Sequence, residues 1–437
     1  MNKIIPVAIM LVMVLMLGIS WYNVSNYKSS LNAEYNMHIN AAEEYEEKEI
    51  FIDAVKEYEA ALKVRPTDYN VAMKIVDLYD KLDDRTSYMK ACQNAIEAAP
   101  TEAQPYILLA DCYSEKLNYN KAYETLHLGE SNVDDSSEIK TMIMELKSRY
   151  DLLTMEYDTF DGWHFSDDGS IGYARVSKEG KYGLLKADNR LTIKCDYEDV
   201  GLLTDDLMPI KSGGEYYYVT EKGYRKLVTD HPAQYLGCFS EGYAAALING
   251  KWGYIDKKAK EYNFEYDYAG AFANGVAAVK KNDKWALINK SFKTVVDFEL
   301  DDVILDEYGF CSVYGVIWGK QNGKYYLYNT DGECVSAAYD DVKKFASDEP
   351  AAVKVENKWG FVSKEGELVV EPTYENADSF SLGYAPFYED GKWGCIDEEN
   401  HILIEPTFDS MSPFYKNGYS LVEVDGIKKW VLVSIYE

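Results

Sequence analysis

The first apolar feature of the chain is a run of nineteen uncharged residues from Ile4 to Tyr22. As an α-helix rising about 1.5 Å per residue, it is just long enough to cross a hydrocarbon core of roughly 30 Å. Lys3 precedes the run, and Trp21 lies where an interfacial aromatic residue is expected. The run ends Leu-Gly-Ile-Ser-Trp at residues 17–21, which is a poor context for signal-peptide cleavage. The pattern predicts an uncleaved single-pass membrane anchor over residues 1–31, with the body outside the cytoplasm.

Over residues 32–156 a different pattern recurs every 34 residues and places small, aromatic and Pro residues in register. The aligned positions are Ala42, Val76 and Ala110; Tyr45, Tyr79 and Tyr113; Ala54, Tyr88 and Ala122; Tyr58, Cys92 and Leu126; Ala61, Ala95 and Gly129; and Pro66, Pro100 and Asp134. This pattern resembles the tetratricopeptide repeat, in which small residues lie where the two helices of a unit cross. Tyr88, Gly129 and Asp134 depart from the family pattern. The resemblance covers three units, and a capping helix is predicted from Ser136 to about Met155.

The tetratricopeptide resemblance also implies a concave groove lined by the first helix of each unit. The family's groove positions fall, unit by unit, on Asn36, Ile39, Glu43 and Glu46, on Asn70, Met73, Asp77 and Asp80, and on Gln104, Ile107, Asp111 and Ser114. Such a groove is acidic with an apolar floor, which suits an extended or helical protein segment that carries Lys or Arg. The alternative is that these acids are only the solvated face of a very acidic protein.

Over residues 157–437 short β-type segments recur about every 35 residues. The clearest copies, Lys251–Asp256, Lys358–Val362 and Lys392–Asp397, begin Lys-Trp-Gly, and five weaker copies bring the number to eight. Each unit reads as a strand, a tight turn such as Asn249-Gly250, a strand with the Trp-Gly motif and a third extended segment.

These Trp-Gly units resemble the WG repeat family of bacterial β-rich proteins over nearly two thirds of the chain. We predict that the motif serves packing, because an aromatic side chain supplies apolar area and Gly lets two backbones approach closely. The residues that carry this structural role are Trp252, Gly253, Trp285, Trp359, Gly360, Trp393, Gly394 and Trp430.

The last β unit lacks its third segment, since the chain ends soon after Trp430. A matching segment, Phe160–Phe165, precedes the first unit. A propeller-like ring could use this segment to complete its last unit and leave no exposed edge. An open β solenoid is the alternative. The predicted fold class is therefore multidomain: a transmembrane helix, an all-α tetratricopeptide-like solenoid, and an all-β repeat domain.

Composition narrows the range of partners and of chemistry. With 45 basic and 74 acidic residues the net charge is −29, which opposes binding to nucleic acid. The seven Cys and five His residues form no cluster with metal-ligand spacing, so no metal and no cofactor are predicted. No catalytic triad, P-loop or GxGxxG motif is present.

Acidic pairs remain the only candidates for catalysis: Asp205-Asp206, Asp301-Asp302 and Asp340-Asp341. They could act as glycosidase carboxylates. Because they recur at a similar place in the repeat, we interpret them as turn residues instead. The 39 Tyr residues add a further alternative, an aromatic β surface that stacks on sugar rings.

The sequence as a whole predicts a non-enzymatic, membrane-anchored binding or scaffold protein of the bacterial cell envelope. A protein with a basic or extended segment is the expected partner, and a cell-wall polysaccharide is a further candidate. The alternatives are an envelope carbohydrate-active hydrolase that uses a carboxylate pair, and a cytoplasm-facing adaptor of a membrane complex.

Overall fold

The computed structural model describes residues 4–165, 172–188 and 190–433, and the side chains of residues 4–20, 22 and 23 lie outside the described part. The chain divides into two compact units. The first is helical and extends to Lys147, and the second is made of β-strands and begins at Ser148.

The described part of the helical unit contains seven helices. They are α1 (Ile4–Glu47), α2 (Phe51–Val64), α3 (Tyr69–Lys81), α4 (Arg85–Ala98), α5 (Gln104–Glu115), α6 (Tyr119–Asn132) and α7 (Ser137–Lys147). Side-chain caps fix several of the helix starts. Asp68, Asp84 and Asn118 each accept a hydrogen bond from the backbone N–H three residues later, which satisfies one of the free donors of α3, α4 and α6.

The helices pack as the 34-residue pattern predicts, so the tetratricopeptide-like array is confirmed. The small residues at the predicted crossings are fully buried: Ala42, Ala54, Ala61, Ala95, Ala110 and Ala122. Gly129 replaces the expected Ala for a steric reason, because a Cβ atom there would lie 2.9 Å from Tyr106 Cγ and 2.9 Å from Ile139 Cδ1. The wide Tyr106 ring therefore accounts for this departure from the family pattern.

The predicted membrane anchor is wrong. Among the described residues, no helix is long and apolar enough to cross a membrane. The apolar run is instead the start of α1, a single helix of 44 residues that continues into the helical array. From Val24 onward the described side chains of α1 are mostly polar and exposed, apart from buried Tyr35 and Ala42. This finding overturns the anchor predicted over residues 1–31, together with the membrane localisation and extracytoplasmic body that depended on it.

The β unit begins with β1 (Tyr150–Thr154), and four blades follow along the chain. Blade 1 contains β2 (Thr159–Phe160), β3 (His164–Phe165), β4 (Gly172–Lys178), β5 (Lys181–Lys186) and β6 (Leu191–Tyr197), and blade 2 contains β7 (Asp199–Val200), β8 (Met208–Ser212), β9 (Glu215–Val219) and β10 (Arg225–Leu227). Blade 3 contains β11 (Ala233–Leu236), β12 (Tyr243–Ile248), β13 (Lys251–Asp256) and β14 (Glu261–Tyr266). Blade 4 contains β15 (Tyr268–Ala269), β16 (Val276–Lys281), β17 (Lys284–Asn289) and β18 (Thr294–Leu300).

Four further blades complete the β unit. Blade 5 contains β19 (Asp302–Val303), β20 (Ser312–Val313), β21 (Val316–Gln321) and β22 (Lys324–Asn329); blade 6 contains β23 (Asp341–Val342), β24 (Ala351–Val355), β25 (Lys358–Val362) and β26 (Leu368–Tyr374); blade 7 contains β27 (Asn376–Ala377), β28 (Ala385–Glu389), β29 (Lys392–Ile396) and β30 (Ile402–Phe408); blade 8 contains β31 (Ser410–Met411), β32 (Tyr419–Val424) and β33 (Ile427–Val433). Neighbouring strands within each blade are antiparallel, and the eight blades form a β-propeller.

The propeller is a closed ring, and the strand that completes it is β1. This strand pairs with β33 over five residues, from Tyr150 opposite Val433 to Thr154 opposite Lys429. The first and last blades also meet directly, because the Phe160 ring lies 4.7 Å from the Trp430 ring. The open solenoid is therefore excluded.

Two details of the predicted boundary between the helices and the β repeats are wrong. Phe160–Phe165 does not close the ring, because β2 and β3 pair with β4 inside blade 1. The capping helix α7 ends at Lys147 and not near Met155. Tyr150 follows Ile139, Ile143 and Leu146 at helical spacing, but its backbone pairs with β33 as a strand.

Candidate functional site

The aromatic residue of the Trp-Gly motif occupies the second position of the third strand in most blades. Trp252, Trp285, Trp393 and Trp430 are half-buried and Trp359 is buried. The ring of Trp252 lies 5.2 Å from that of Tyr235 and 4.9 Å from that of Tyr268. These side chains therefore pack against aromatic neighbours and do not form an open platform.

The Gly of the motif allows the following strand to approach closely. A Cβ atom would lie 2.7 Å from the Tyr262 carbonyl oxygen at Gly253, and 2.4 Å from the Val370 and Ile404 carbonyl oxygens at Gly360 and Gly394 respectively. The register of the next strand shifts at these points. A larger residue would push the two backbones apart.

The recurring acids of the β unit join consecutive blades. The motif Lys pairs with an acid sixteen or seventeen residues later, in Lys251–Asp267 at 2.9 Å, Lys284–Asp301 at 2.7 Å, Lys392–Asp409 at 2.5 Å and Lys324–Asp340. The second oxygen of each acid accepts a backbone N–H from the next hairpin, at Asn282, Gly323, Asp425 and Glu356. These hydrogen bonds lower the pKa of all four acids. We call these contacts blade staples.

The three acidic pairs considered for catalysis thus have structural partners. Asp301 and Asp340 belong to blade staples, and Asp302 and Asp341 accept the N–H of the residue that follows each of them. Asp205 and Asp206 have φ angles of +53° and +66°, which is typical of a tight turn.

One group of possible metal ligands in the described part of the chain has a similar explanation. One ligand atom each from Asp397, Glu399 and His401 lies within 4.8 Å of the others. Oδ1 of Asp397 accepts the N–H groups of Glu399 and His401, at 3.0 and 2.8 Å. Asp256 makes the same turn in blade 3 with the N–H groups of Lys258 and Lys260. This group is therefore the turn between the third and fourth strands of a blade.

The groove positions of the helical unit fall into rows along the first helices of successive units. The exposed members are Asn36, Asn70 and Gln104, then Glu43, Asp77 and Asp111, and also Asp80. Ile39 and Met73 are half-buried against the helical core and Ile107 is buried, so these three residues form an apolar row. Glu46 and Ser114 are half-buried.

The acids of one row of the groove, Glu46 and Asp80, form ion pairs with Lys and Arg side chains of the same chain. Glu46 accepts a hydrogen bond from the Tyr58 hydroxyl at 3.1 Å and pairs with Lys81 at 3.3 Å and Lys74 at 3.5 Å. Asp80 pairs with Arg85 at 3.2 Å. These two acids already have cationic partners from the chain itself.

The other acidic row, Glu43, Asp77 and Asp111, has no ion pair within the described residues. Burial raises the pKa of Asp111, and so do the nearby carboxylates of Glu115, Glu145 and Glu138. Like charges thus accumulate at this end of the row instead of being balanced. We call these three residues the uncompensated row.

Sequence reasoning missed that the groove pattern continues into α7. Glu145 lies 34 residues after Asp111, and Glu138 lies 34 residues after Gln104. Both carboxylates act on the pKa of Asp111. The 34-residue period could have predicted this continuation, because it applies to the capping helix as well as to the three units.

Comparison with known proteins finds a family match in the β repeats and solved structures that are similar to parts of the chain. The family described as WG containing repeat matches residues 234–252, 252–285, 359–393 and 393–430. No curated protein matches the chain. Among solved structures, the TPR2B domain of yeast Sti1, solved as a complex with pHsp70, is 25% identical with a TM-score of 0.22, over 25% of this chain and 94% of that one.

Two further solved structures are similar to parts of the chain. The N-terminal domain of the stress-induced protein STI-1 from C. elegans is 13% identical with a TM-score of 0.24, over 26% of this chain and 95% of that one. Hsv2 of Kluyvelomyces marxianus is 12% identical with a TM-score of 0.36, over 60% of this chain and 88% of that one.

The class of protein follows from the folds and the WG matches together. The chain is a repeat protein that joins a tetratricopeptide-like array to an eight-bladed β-propeller with WG repeats. This architecture is consistent with a binding or scaffold role.

Proposed function

We propose that this protein is a non-enzymatic scaffold whose helical groove binds an extended, basic segment of a partner protein. The uncompensated row carries the proposal. Glu43, Asp77 and Asp111 are exposed and recur once per unit, whereas the chain provides cations for Glu46 and Asp80 in the neighbouring row.

The charge pattern favours a cationic ligand. An exposed carboxylate without a counter-ion attracts Lys or Arg, and a row of them spaced by the repeat attracts several such residues on one segment. Burial and, to a smaller extent, repulsion by nearby carboxylates raise the pKa of Asp111, and Lys or Arg side chains that reach this row would relieve the repulsion.

A row of exposed side-chain amides in the groove supports an extended conformation for the bound segment. Asn36, Asn70 and Gln104 are exposed and occupy one position in three successive units. A side-chain amide offers both a donor and an acceptor, which matches the C=O and N–H of a peptide in extended form. The apolar row of Ile39, Met73 and Ile107 lies between the amides and the acids in sequence and supplies contact area.

Titration with short unstructured peptides tests the proposal directly. The probes are nine-residue peptides with three Lys residues spaced two, three or four positions apart, and the matching Glu peptides. We expect the full-length protein to bind Lys peptides, more tightly at low salt, and not the Glu peptides. In the variant Glu43→Lys with Asp77→Lys, affinity should fall by about tenfold or more, which corresponds to about 1.4 kcal/mol.

A matched control separates the groove from net charge. The variant Glu97→Lys with Glu124→Lys makes the same charge change at exposed positions of α4 and α6, the second helices of their units. It should bind within about twofold of the parent protein. Equal loss in both variants would assign the binding to net charge, and no loss in either would remove the groove as the binding surface.

The non-enzymatic part of the proposal has its own test. A panel of glycosidic substrates should show no turnover by the purified protein. Saturable turnover that is abolished by Asp301→Asn or Asp340→Asn would overturn this part, because those carboxylates are the catalytic alternative.

A further inference from the structure

One face of the propeller carries two kinds of connection between strands. Because neighbouring strands of a blade are antiparallel, the connection after the first strand and the turn after the third strand lie at the same end of the blade. Contacts between consecutive blades agree with this. Lys257, in the turn of blade 3, pairs with Asp205, in the first connection of blade 2, at 3.7 Å, and Lys290 of blade 4 pairs with Glu241 of blade 3 at the same distance. We call this side of the ring the turn face.

The turns of blades 2, 3 and 4 make one part of the turn face basic. Eight cationic side chains follow the third strands of these blades and are all exposed: Lys222, Arg225, Lys226, Lys257, Lys258, Lys260, Lys290 and Lys293. We call them the basic arc. Besides Lys257 and Lys290, Arg225 has an ion pair, with Glu215 at 3.7 Å, and the other five have none with the described residues. Glu221 is the one acid in these turns, so the arc keeps uncompensated positive charge.

The turns of blades 5, 6 and 7 make the adjoining part of the turn face acidic. Six carboxylates follow the strands β22, β25 and β29 and are all exposed: Asp331, Glu333, Glu365, Glu367, Glu398 and Glu399. We call them the acidic arc. Within the part of the chain that the structure describes, none of the six forms an ion pair. Lys364 is the one Lys or Arg residue in these turns. The turn face is therefore positive over three blades and negative over the next three.

The contacts between consecutive blades show the same reversal of charge. Glu398 in blade 7 and Lys257 in blade 3 occupy the same place, directly after the Asp residue that shapes the turn. Lys257 meets an acid of the preceding blade, whereas Glu398 meets Glu349 of blade 6. Burial raises the pKa of Glu349, and repulsion by Glu398 raises it further. A cation from outside the chain would relieve this repulsion.

The two arcs together limit what can bind to the turn face. A uniformly anionic ligand attracted by the basic arc would meet the acidic arc on the same face, and the net charge of −29 would repel it at longer range. A uniformly cationic ligand would be repelled by the basic arc. A complementary surface needs one negative and one positive part, and the turn face of a second copy has both.

A two-fold axis brings the two arcs of two copies together. If the axis lies in the plane of the turn face and passes between blades 4 and 5, it places blade 4 of one copy on blade 5 of the other, blade 3 on blade 6, and blade 2 on blade 7. Every basic turn then meets an acidic turn, and each contact occurs twice by symmetry. Blade 2 carries Tyr224, which is 70% exposed, and blade 7 carries Ile402, which is 42% exposed, so apolar area is available at the same contact.

We propose that the turn face is a homodimer interface in which the basic arc of each copy binds the acidic arc of the other. Sedimentation velocity of the full-length protein tests it. We expect a monomer–dimer equilibrium that shifts towards the dimer as the protein concentration rises. The association constant should fall by about tenfold or more when salt rises from about 0.1 M to about 1 M, because the Debye length falls from roughly 10 Å to roughly 3 Å. A protein that stays monomeric at every concentration would overturn the proposal.

A charge exchange between two variants tests the pairing of the blades. In Lys258→Glu with Lys260→Glu, blade 3 becomes acidic and faces the acidic blade 6. In Glu365→Lys with Glu367→Lys, blade 6 becomes basic and faces the basic blade 3. Each variant alone should dimerise at least about tenfold more weakly than the parent protein. An equimolar mixture should recover the dimer, because both contacts between blades 3 and 6 then join opposite charges. A mixture that does not associate would exclude this pairing and the proposed interface with it.

A matched control separates the turn face from net charge. Lys178→Glu with Lys181→Glu makes the same charge change at exposed positions beside the turn between β4 and β5, which lies on the opposite face of the ring. This variant should dimerise within about twofold of the parent protein. A loss equal to that of Lys258→Glu with Lys260→Glu would assign the association to net charge and contradict the proposal.

Two further measurements distinguish other occupants of the basic arc. The variant Glu43→Lys with Asp77→Lys should form the dimer like the parent protein, because the helical groove has no part in the interface. Loss of the dimer in that variant would mean that the basic arc binds the groove of another copy. Binding of a Glu peptide to a parent protein that remains monomeric, if abolished by Lys258→Glu with Lys260→Glu, would assign the arc to a different acidic protein. Either result would overturn the proposal.

Discussion

The helical unit and the β unit have repeats of nearly equal length, but they treat their recurring acids differently. In the propeller, Asp267, Asp301, Asp340 and Asp409 each bind a Lys and a backbone N–H, so every one of them is a blade staple. In the helical array, Glu43, Asp77 and Asp111 recur just as regularly but have no such partner within the described residues. An acid that repeats together with a cation indicates a structural contact. In the function proposed above, an acid that repeats alone marks the surface to which the partner binds.

The closed β unit should be the more sensitive of the two to a single added side chain. We expect Gly360→Val to cost about 3 kcal/mol or more, because its Cβ would lie 2.4 Å from the Val370 carbonyl oxygen. Chemical denaturation measures this. As a control, Gly391→Asn has φ +86° and open space around it, and Asn tolerates such angles, so its cost should stay near 1 kcal/mol or below. Equal losses would show that the Trp-Gly contact is not special.

The β unit is a closed ring, whereas the helical unit is an open array, and the pairing of β1 with β33 closes the ring. We expect Leu152→Pro with Leu153→Pro to cost about 3 kcal/mol, because successive N–H groups point to opposite sides and one of the two must face β33. Limited proteolysis should then cut within residues 410–433. Leu152→Thr with Leu153→Thr keeps the strand and exchanges two exposed side chains, so it should leave the ring intact. Resistance to protease in the Pro variant would argue against closure by β1.

Because of the uncompensated row, we expect the affinity of the helical groove for a Lys peptide to depend on pH. The pKa of Asp111 is raised by burial and by neighbouring carboxylates, so Asp111 becomes protonated at a higher pH than an ordinary Asp. Affinity for a Lys peptide should therefore begin to fall early as pH decreases, by about threefold from this residue. Asp111→Asn should bind more weakly at neutral pH and lose this early part of the titration. A titration that does not differ between the two proteins would exclude Asp111 from the binding surface.

Substitutions in the blade staples should change the stability of the protein least. Lys284→Met removes one exposed ion pair, and such pairs contribute little. Asp301→Ala should shift the thermal midpoint further, because the N–H of Gly323 loses its acceptor as well. The pKa of Asp301 is lowered by Lys284, so its contribution is present above the ordinary pKa and decreases as pH falls. Thermal unfolding at neutral and acidic pH would show this order, and the reverse order would mean that the ion pair dominates.

The period of each array predicted most of the fold. Positions such as Ala42 and Ala110, or Trp252 and Trp359, must meet the same neighbour in every unit, so a regular pattern determines the packing. The groove positions were assigned for the same reason, and their role as a binding surface stays a prediction. The regular spacing gave one wrong prediction. Tyr150 continues the spacing of the capping helix, but its backbone forms a strand that pairs with the edge of β33.

The features that break the pattern were the ones that could not be predicted. The long connection between β19 and β21 is visible in the sequence only as extra residues between Asp301 and Lys324, and length alone does not show that the Tyr308 hydroxyl will accept a hydrogen bond from the Arg175 backbone N–H. Phe160–Phe165 and Tyr150–Thr154 are both short, β-compatible segments ahead of the first full unit. Only the three-dimensional position of β33 decides between them. The predicted anchor failed in a similar way, because the local apolar run did not show that α1 continues to Glu47.

The pairing of β1 with β33 has a consequence for synthesis. β1 leaves the ribosome before any blade, and its partner is among the last segments to emerge. Throughout that time β1 is an unpaired strand, and the blades accumulate on a ring that cannot yet close. Loop closure over such a long stretch of chain is slow, so the last step of folding waits for the completed polypeptide. A nascent chain that stops in blade 8 would therefore present two free edges at once, where a chaperone or a second nascent chain could pair.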